Sequence, residues 1–89
     1  FYVINKGVIF IITAEVALYP LKTSNASDII NKSISVLKNS NVEYTVGSMK
    51  TTLRGNEPDV FSGLQAIFSE AKKIGGEIDM VVTIGNAHG

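Results

Sequence analysis

Apolar and polar side chains alternate from Ile11 to Tyr19, the period-two signature of a β-strand half buried in a sheet. Ile12, Ala14, Val16 and Leu18 fall on one face, which reads as core. Ile11, Thr13, Glu15, Ala17 and Tyr19 fall on the other, setting one carboxylate beside a hydroxyl and a phenol. Such a face meets a small polar ligand, a partner sheet, or water with Glu15 paired to a neighbouring cation. After Pro20, the turn-rich segment Leu21 to Ser27 offers several N-cap side chains. Asp28, Ile29, Ile30, Ile34, Val36 and Leu37 then recur at helical spacing, predicting an amphipathic helix of about four turns. Lys38-Asn-Ser-Asn41 is its expected end, with a cation for the dipole and Asn available for the left-handed conformation.

Two short strands follow, Val42 to Gly47 and Met49 to Gly55, with Gly47-Ser48 as their hairpin turn. In the second, Met49, Thr51 and Leu53 oppose Lys50, Thr52 and Arg54, and a one-residue slip would exchange the two sets. Asn56-Glu-Pro-Asp59 reads as a helix start, and Val60, Leu64, Ile67, Phe68 and Ala71 form the stripe that helix buries. Gly75-Gly76 ends it, and Ile78, Met80, Val82 and Ile84 alternate with Asp79, Val81 and Thr83 in a last strand.

The order β-α-β-β-α-β is the α+β, ferredoxin-like plan, in which two helices cover one face of a four-stranded antiparallel sheet. Right-handed crossovers place the first and third strands in the centre. The uncovered face then carries Thr13, Glu15, Ala17 and Tyr19 beside Lys50, Thr52 and Arg54, with Thr83 across on the last strand. One domain, residues 8–86, accounts for this plan. A chain of 89 residues buries only about 60 to 65% of its unfolded surface, so a partner subunit is expected.

Composition then removes several function classes. Eight basic and eight acidic residues leave no net field to hold nucleic acid or an anionic membrane. With no cysteine there is no thiolate nucleophile and no sulfur-held metal, a composition compatible with a reducing cytoplasm. Lys6 and the apolar run to Ala14 imitate a signal peptide, but the run is too short to span a bilayer and its removal would destroy the first strand. Phe1 as first residue suggests that the chain starts inside a longer sequence.

Among ferredoxin-like proteins, metal-chaperone versions need a cysteine pair, which is absent, and RNA-binding versions need aromatics on the central strands, which here offer Tyr19 and no Phe or Trp at the open centre. An acyl-phosphate hydrolase would want an anion-cradling loop with an Arg between Leu21 and Ser27, where only Lys22 stands. His88, the only histidine, lies in the terminal tail and reads as structural background. No catalytic pair and no metal set is evident.

Thr13-Ala-Glu-Val-Ala-Leu-Tyr-Pro-Leu21, Met49-Lys-Thr-Thr-Leu-Arg-Gly55 and Val81-Val-Thr-Ile-Gly85 together resemble the thiamine-binding protein family, with its hydroxymethylpyrimidine/thiamine-binding relatives. The resemblance runs from Ile11 to Gly85. It implies a cytoplasmic, non-enzymatic domain that needs no cofactor, associates through its sheets into homodimers or homotetramers, and binds thiamine or its pyrimidine. An aminopyrimidine offers an amine donor beside ring-nitrogen acceptors, and thiamine adds a cationic thiazolium, so hydroxyls and a carboxylate suit it. Under that resemblance Ser48, Thr51 and Thr52 donate or accept, Glu15 accepts from the amine or offsets the cation, Tyr19 stacks or caps the ring, and Thr83 completes the set. Lys50 and Arg54 either pair with Glu15 and Glu43 or meet a phosphate, for which the first helix's N-terminus is a second place. Two other readings remain, a sheet-mediated regulatory or assembly module without a thiamine ligand, and a small hydrolase lacking a recognisable base.

Overall fold

A computed structural model describes residues 11–86 of the chain. The expected domain start at residues 8–10, the leader-like segment before Ile11 and the His88 tail lie outside those residues. Strand β1 (Ile11–Pro20) is followed by helix α1 (Ala26–Ile34), a 3-10 turn (Ser35–Asn39), β2 (Glu43–Val46), β3 (Thr51–Asn56), α2 (Glu57–Gly75) and β4 (Ile78–Gly85). The four strands form one antiparallel sheet in the order β2-β3-β1-β4, so β1 and β3 are central as the crossover rule requires. Both helices pack against the same sheet face, the ferredoxin-like α+β arrangement.

Parity decides which side chains reach the core. Ala14, Val16 and Leu18 of β1 and Leu53 of β3 are buried together with Val60, Leu64, Ile67 and Ala71 of α2 and with Ile34 and Leu37. Each fully buried Leu or Ile in that set contributes about 1.5–3 kcal/mol relative to exposure. Gly63 lets α2 come close, because a Cβ there would stand 3.1 Å from Leu53 Cδ2 and 3.3 Å from Leu37 Cδ2. Phe68, expected in the buried stripe, sits half-exposed at its edge, with Lys72 Nζ 5.7 Å from the ring centroid.

The helix ends show where local chemistry acts. Asn56 caps α2, its side-chain oxygen accepting from Asp59 N–H at 3.0 Å, while Gly76 stops the helix at φ 79°. The end of α1 differs from expectation. The α-helical part stops after Ile34, and Val36 and Leu37 belong to the 3-10 turn instead. Ser33 and Ser35 both return their hydroxyls to backbone carbonyls, of Ile29 at 2.7 Å and Lys32 at 2.6 Å, and such bonds compete with regular helix. Ser40, in extended backbone, donates both N–H and Oγ to Leu37 O, so no left-handed Asn closes this segment. The left-handed non-glycine among the described residues is Lys22 at φ 57°, in the β1–α1 connection. That turn is tied to the start of β4: Leu21 N–H donates to Glu77 O at 2.9 Å, and Lys22 Nζ meets Glu77 Oε2 at 3.2 Å.

Replacing Gly63 by Val forces two methyls into the Leu53–Leu37 contact and is expected to lower stability by about 1–3 kcal/mol. Asn56→Ala, which removes only the cap, is expected to cost about 1 kcal/mol. Urea denaturation of the two variants beside the parent measures both.

Candidate functional site

The register across all four strands places Thr45, Thr52, Glu15 and Thr83 in one row on the uncovered sheet face. Glu43, Arg54 and Thr13 form the next row. Glu15 therefore stands between two threonines, and Lys50 Nζ reaches its Oε2 at 3.1 Å. Both members of this pair stay partly exposed, 54% for Lys50 and 41% for Glu15. A pair so wet contributes little to stability. Tyr19 lies further along the same face opposite Asp79 and is half exposed. Through Thr45, Thr52, Glu15 and Thr83 this face is a row of polar groups on a sheet, and an open hollow of about 510 Å³ lies at its end beside Ile11, Asn41, Glu43, Arg54 and Asp59.

A more enclosed concavity lies on the opposite side, where the hairpin between β2 and β3 passes the first turns of α1. A crevice of about 180 Å³ opens there. Its apolar wall comes from Val16 and Leu18 of β1, Ile30 and Ile34 of α1 and Val46 of β2. Its polar groups come from Ser27 and Asn31 on α1, Ser48 in the hairpin and Thr51 at the start of β3. Thr51 is 4% exposed. A hydroxyl so placed costs free energy unless it finds a hydrogen-bond partner. The rim is shaped by the hairpin turn, closed by Gly47 N–H donating to Lys50 O at 2.9 Å. Any larger residue at position 47 would press its Cβ to 2.9 Å from that same oxygen.

The six residues singled out from sequence thus divide. Ser48 and Thr51 line the crevice, whereas Glu15, Tyr19, Thr52 and Thr83 belong to the uncovered face. Thr51 and Thr52 point to opposite sides, so they cannot touch one ring together. Lys50 spans the division, since it lines the crevice rim and pairs with Glu15 across the sheet. Sequence reasoning passed over Ser27 and Asn31. Their signal was present: Ser27, Ile30, Asn31 and Ile34 follow the i, i+3, i+4, i+7 spacing of a single helix stripe, with polar residues at two of its positions.

Among the described residues no group of three or more His, Asp or Glu side chains gathers as a metal site, and no helix is long and apolar enough to cross a membrane.

Fold and crevice define a ferredoxin-like domain with a small, mixed-polarity cleft between its first helix and central hairpin. Within that class the chain belongs to the YKOF-related family, whose profile matches residues 11–87. Among solved structures, it is similar to the DUF77 domain of unknown function from Bacillus cereus, at 26% identity and TM-score 0.75, covering 84% of this chain and 74% of that one. A hypothetical protein of Methanocaldococcus jannascii shares the fold at 21% identity and TM-score 0.80, over 90% of this chain and 84% of the other. A Thermotoga maritima protein assigned provisionally to thiamine biosynthesis or salvage shares it at 14% identity and TM-score 0.72, over 83% and 81% of the two chains. No curated protein matches the chain.

Replacing Lys50 with Met breaks the ion pair with Glu15 while keeping the stem. Chemical denaturation is expected to show a loss of no more than about 1 kcal/mol, shrinking as salt is added.

Proposed function

We propose that this chain is a non-enzymatic binding domain for thiamine, held through its hydroxymethylpyrimidine moiety, or for that pyrimidine itself, in thiamine supply or salvage. The observation that carries the reading is the crevice's size and lining. Cavities of about 150 Å³ hold one benzene-sized ring, whereas drug-sized ligands take about 300 Å³ or more. At about 180 Å³ the crevice fits a single substituted pyrimidine and leaves a thiazolium outside its mouth. The apolar side chains of Val16, Leu18, Ile30 and Ile34 suit the ring faces. Thr51, Ser27 and the Asn31 amide suit the ring edge, where an amine must be accepted and a ring nitrogen must be given a proton donor.

The Thermotoga maritima neighbour, assigned provisionally to thiamine biosynthesis or salvage, supports the same ligand class. Hydroxyls and one amide bind and orient a ring, but they are poor proton carriers near neutral pH, which favours carriage over turnover. Glu15, the candidate counter-charge for the thiazolium, lies on the other sheet face and would act only through Lys50. Self-association belongs to this reading too, since a second subunit would cover sheet surface that one short chain leaves bare.

Isothermal titration with hydroxymethylpyrimidine and, separately, thiamine tests the proposal. Saturable heat with one ligand per chain is expected from both. Thr51→Val keeps the shape of the wall and removes one hydrogen bond, so it is expected to weaken binding about tenfold without loss of stability. Thr52→Val, on the opposite face, is expected to leave affinity unchanged. Absence of heat from either compound would refute the reading, and a greater effect at Thr52 than at Thr51 would move the site to the uncovered face.

A further inference from the structure

We propose that the crevice prefers its pyrimidine as a phosphate monoester, with the ring seated between α1 and the sheet and the phosphate held at the mouth by Lys50. This rests on the reading of the crevice as a pyrimidine site and adds which form of the ring it takes.

The charge of the lining carries the inference. Among the described residues that form the crevice, Lys50 is the one ionisable side chain, and no carboxylate joins it. The other polar side chains are the hydroxyls of Ser27, Ser48 and Thr51 and the Asn31 amide. A cationic substituent leaving the ring at the mouth would therefore meet a like charge, and an anionic one an opposite charge. Asp28, beside Ser27 on α1, does not change this. It pairs with Lys32 Nζ at 3.0 Å, and both border a different hollow.

Lys50 is also placed to change partner. Its Nζ is 3.1 Å from Glu15 Oε2, and with both side chains partly exposed that pair holds it weakly. A phosphate monoester carries about 1.5 to 2 negative charges near neutral pH and offers three acceptor oxygens, more than a lone carboxylate can. Lysine, a compact cation on a flexible stem, follows the greater charge. Ser48 and Met49, which precede Lys50 in the hairpin, also line the crevice. Their N–H groups donate to no backbone acceptor among the described residues, the turn being closed by Gly47 N–H. One hydroxyl and two backbone donors thus accompany the lysine for the remaining phosphate oxygens. Volume points the same way. About 180 Å³ takes the ring and not a phosphate as well, so the phosphate lies at the rim, where Lys50 is.

Isothermal titration of the full chain at about pH 8, where the ester is a dianion, compares free hydroxymethylpyrimidine, its phosphate monoester and inorganic phosphate. The ester is expected to bind about ten- to a hundredfold more tightly than the free pyrimidine, an advantage that falls as salt is added. Inorganic phosphate alone is expected to give no saturable heat. Lys50→Met is expected to bring the ratio of the two pyrimidine constants close to one. Lys50→Arg is expected to keep that ratio above one, and Glu15→Gln, which removes the competing carboxylate, to widen it. A free pyrimidine that binds as tightly as its ester, or an ester advantage that survives Lys50→Met, would overturn the phosphate assignment and leave the pyrimidine reading standing. So would inorganic phosphate that binds as tightly as the ester. Absence of heat from both pyrimidines would refute the two readings together.

Discussion

The antiparallel register of β1 with β3 is the constraint on which the rest of the molecule depends. It runs from Ile11 against Asn56 to Val16 against Thr51, and it sets Ala14 beside Leu53, both fully buried under α2. Because successive side chains alternate, this one choice also directs Thr13, Glu15, Thr52 and Arg54 to the uncovered face and Thr51 to the covered one. A slip by one residue would expose Leu53 and bury Thr52 and Arg54, at a cost of several kcal/mol in lost apolar burial and unpaired polar groups. The register is therefore held by the core, while the hairpin turn at Gly47 to Lys50 needs only to be compatible with it.

That constraint explains why so much of the fold was legible in the chain. Alternation in β1 and β3 is regular, β1 has one wholly apolar side and β3 one that is apolar but for Thr51, and α2 is bracketed by a capping Asn56 and a stopping Gly76. The failures are equally local in origin. Around the end of α1 the serines at 33, 35 and 40 divert their hydroxyls to backbone carbonyls, and no apolar period records that diversion. Lys22 takes the left-handed conformation where no Gly or Asn advertises it, because Glu77 holds both its side chain and its neighbour's N–H.

The candidate site was legible only in part, for a geometric reason. Picking polar residues from strands finds hydroxyls and carboxylates but not whether they share a face with a cavity. Glu15 draws attention as a charge in an apolar strand, yet its row is flat and its partner is Lys50. The crevice exists because α1 stands over the hairpin end of the sheet, so half its polar groups come from the helix. Ser27 and Asn31 lie on a helix stripe whose other members are the partly buried Ile30 and the core Ile34, and a polar residue in such a position marks a local break in the packing.

Crevice and uncovered face are not independent, because β3 serves both. Lys50, Thr51 and Thr52 are consecutive, and their side chains must leave the strand on alternating sides. A ligand that seats itself against Thr51 presses on the same strand whose Thr52 and Lys50 neighbour Glu15 on the reverse. The central pair β1 and β3 is packed too tightly for that pressure to bend it, with Val16, Leu53 and Val60 essentially inaccessible. The hairpin rim is softer, being a four-residue connection with Met49 84% exposed at its tip. Adjustment to a ligand's size would therefore fall on Gly47 to Met49, leaving the register, the row around Glu15 and the β4 edge in place. A rigid sheet with one yielding rim would let the proposed ring settle in the crevice without disturbing the register of the central strands.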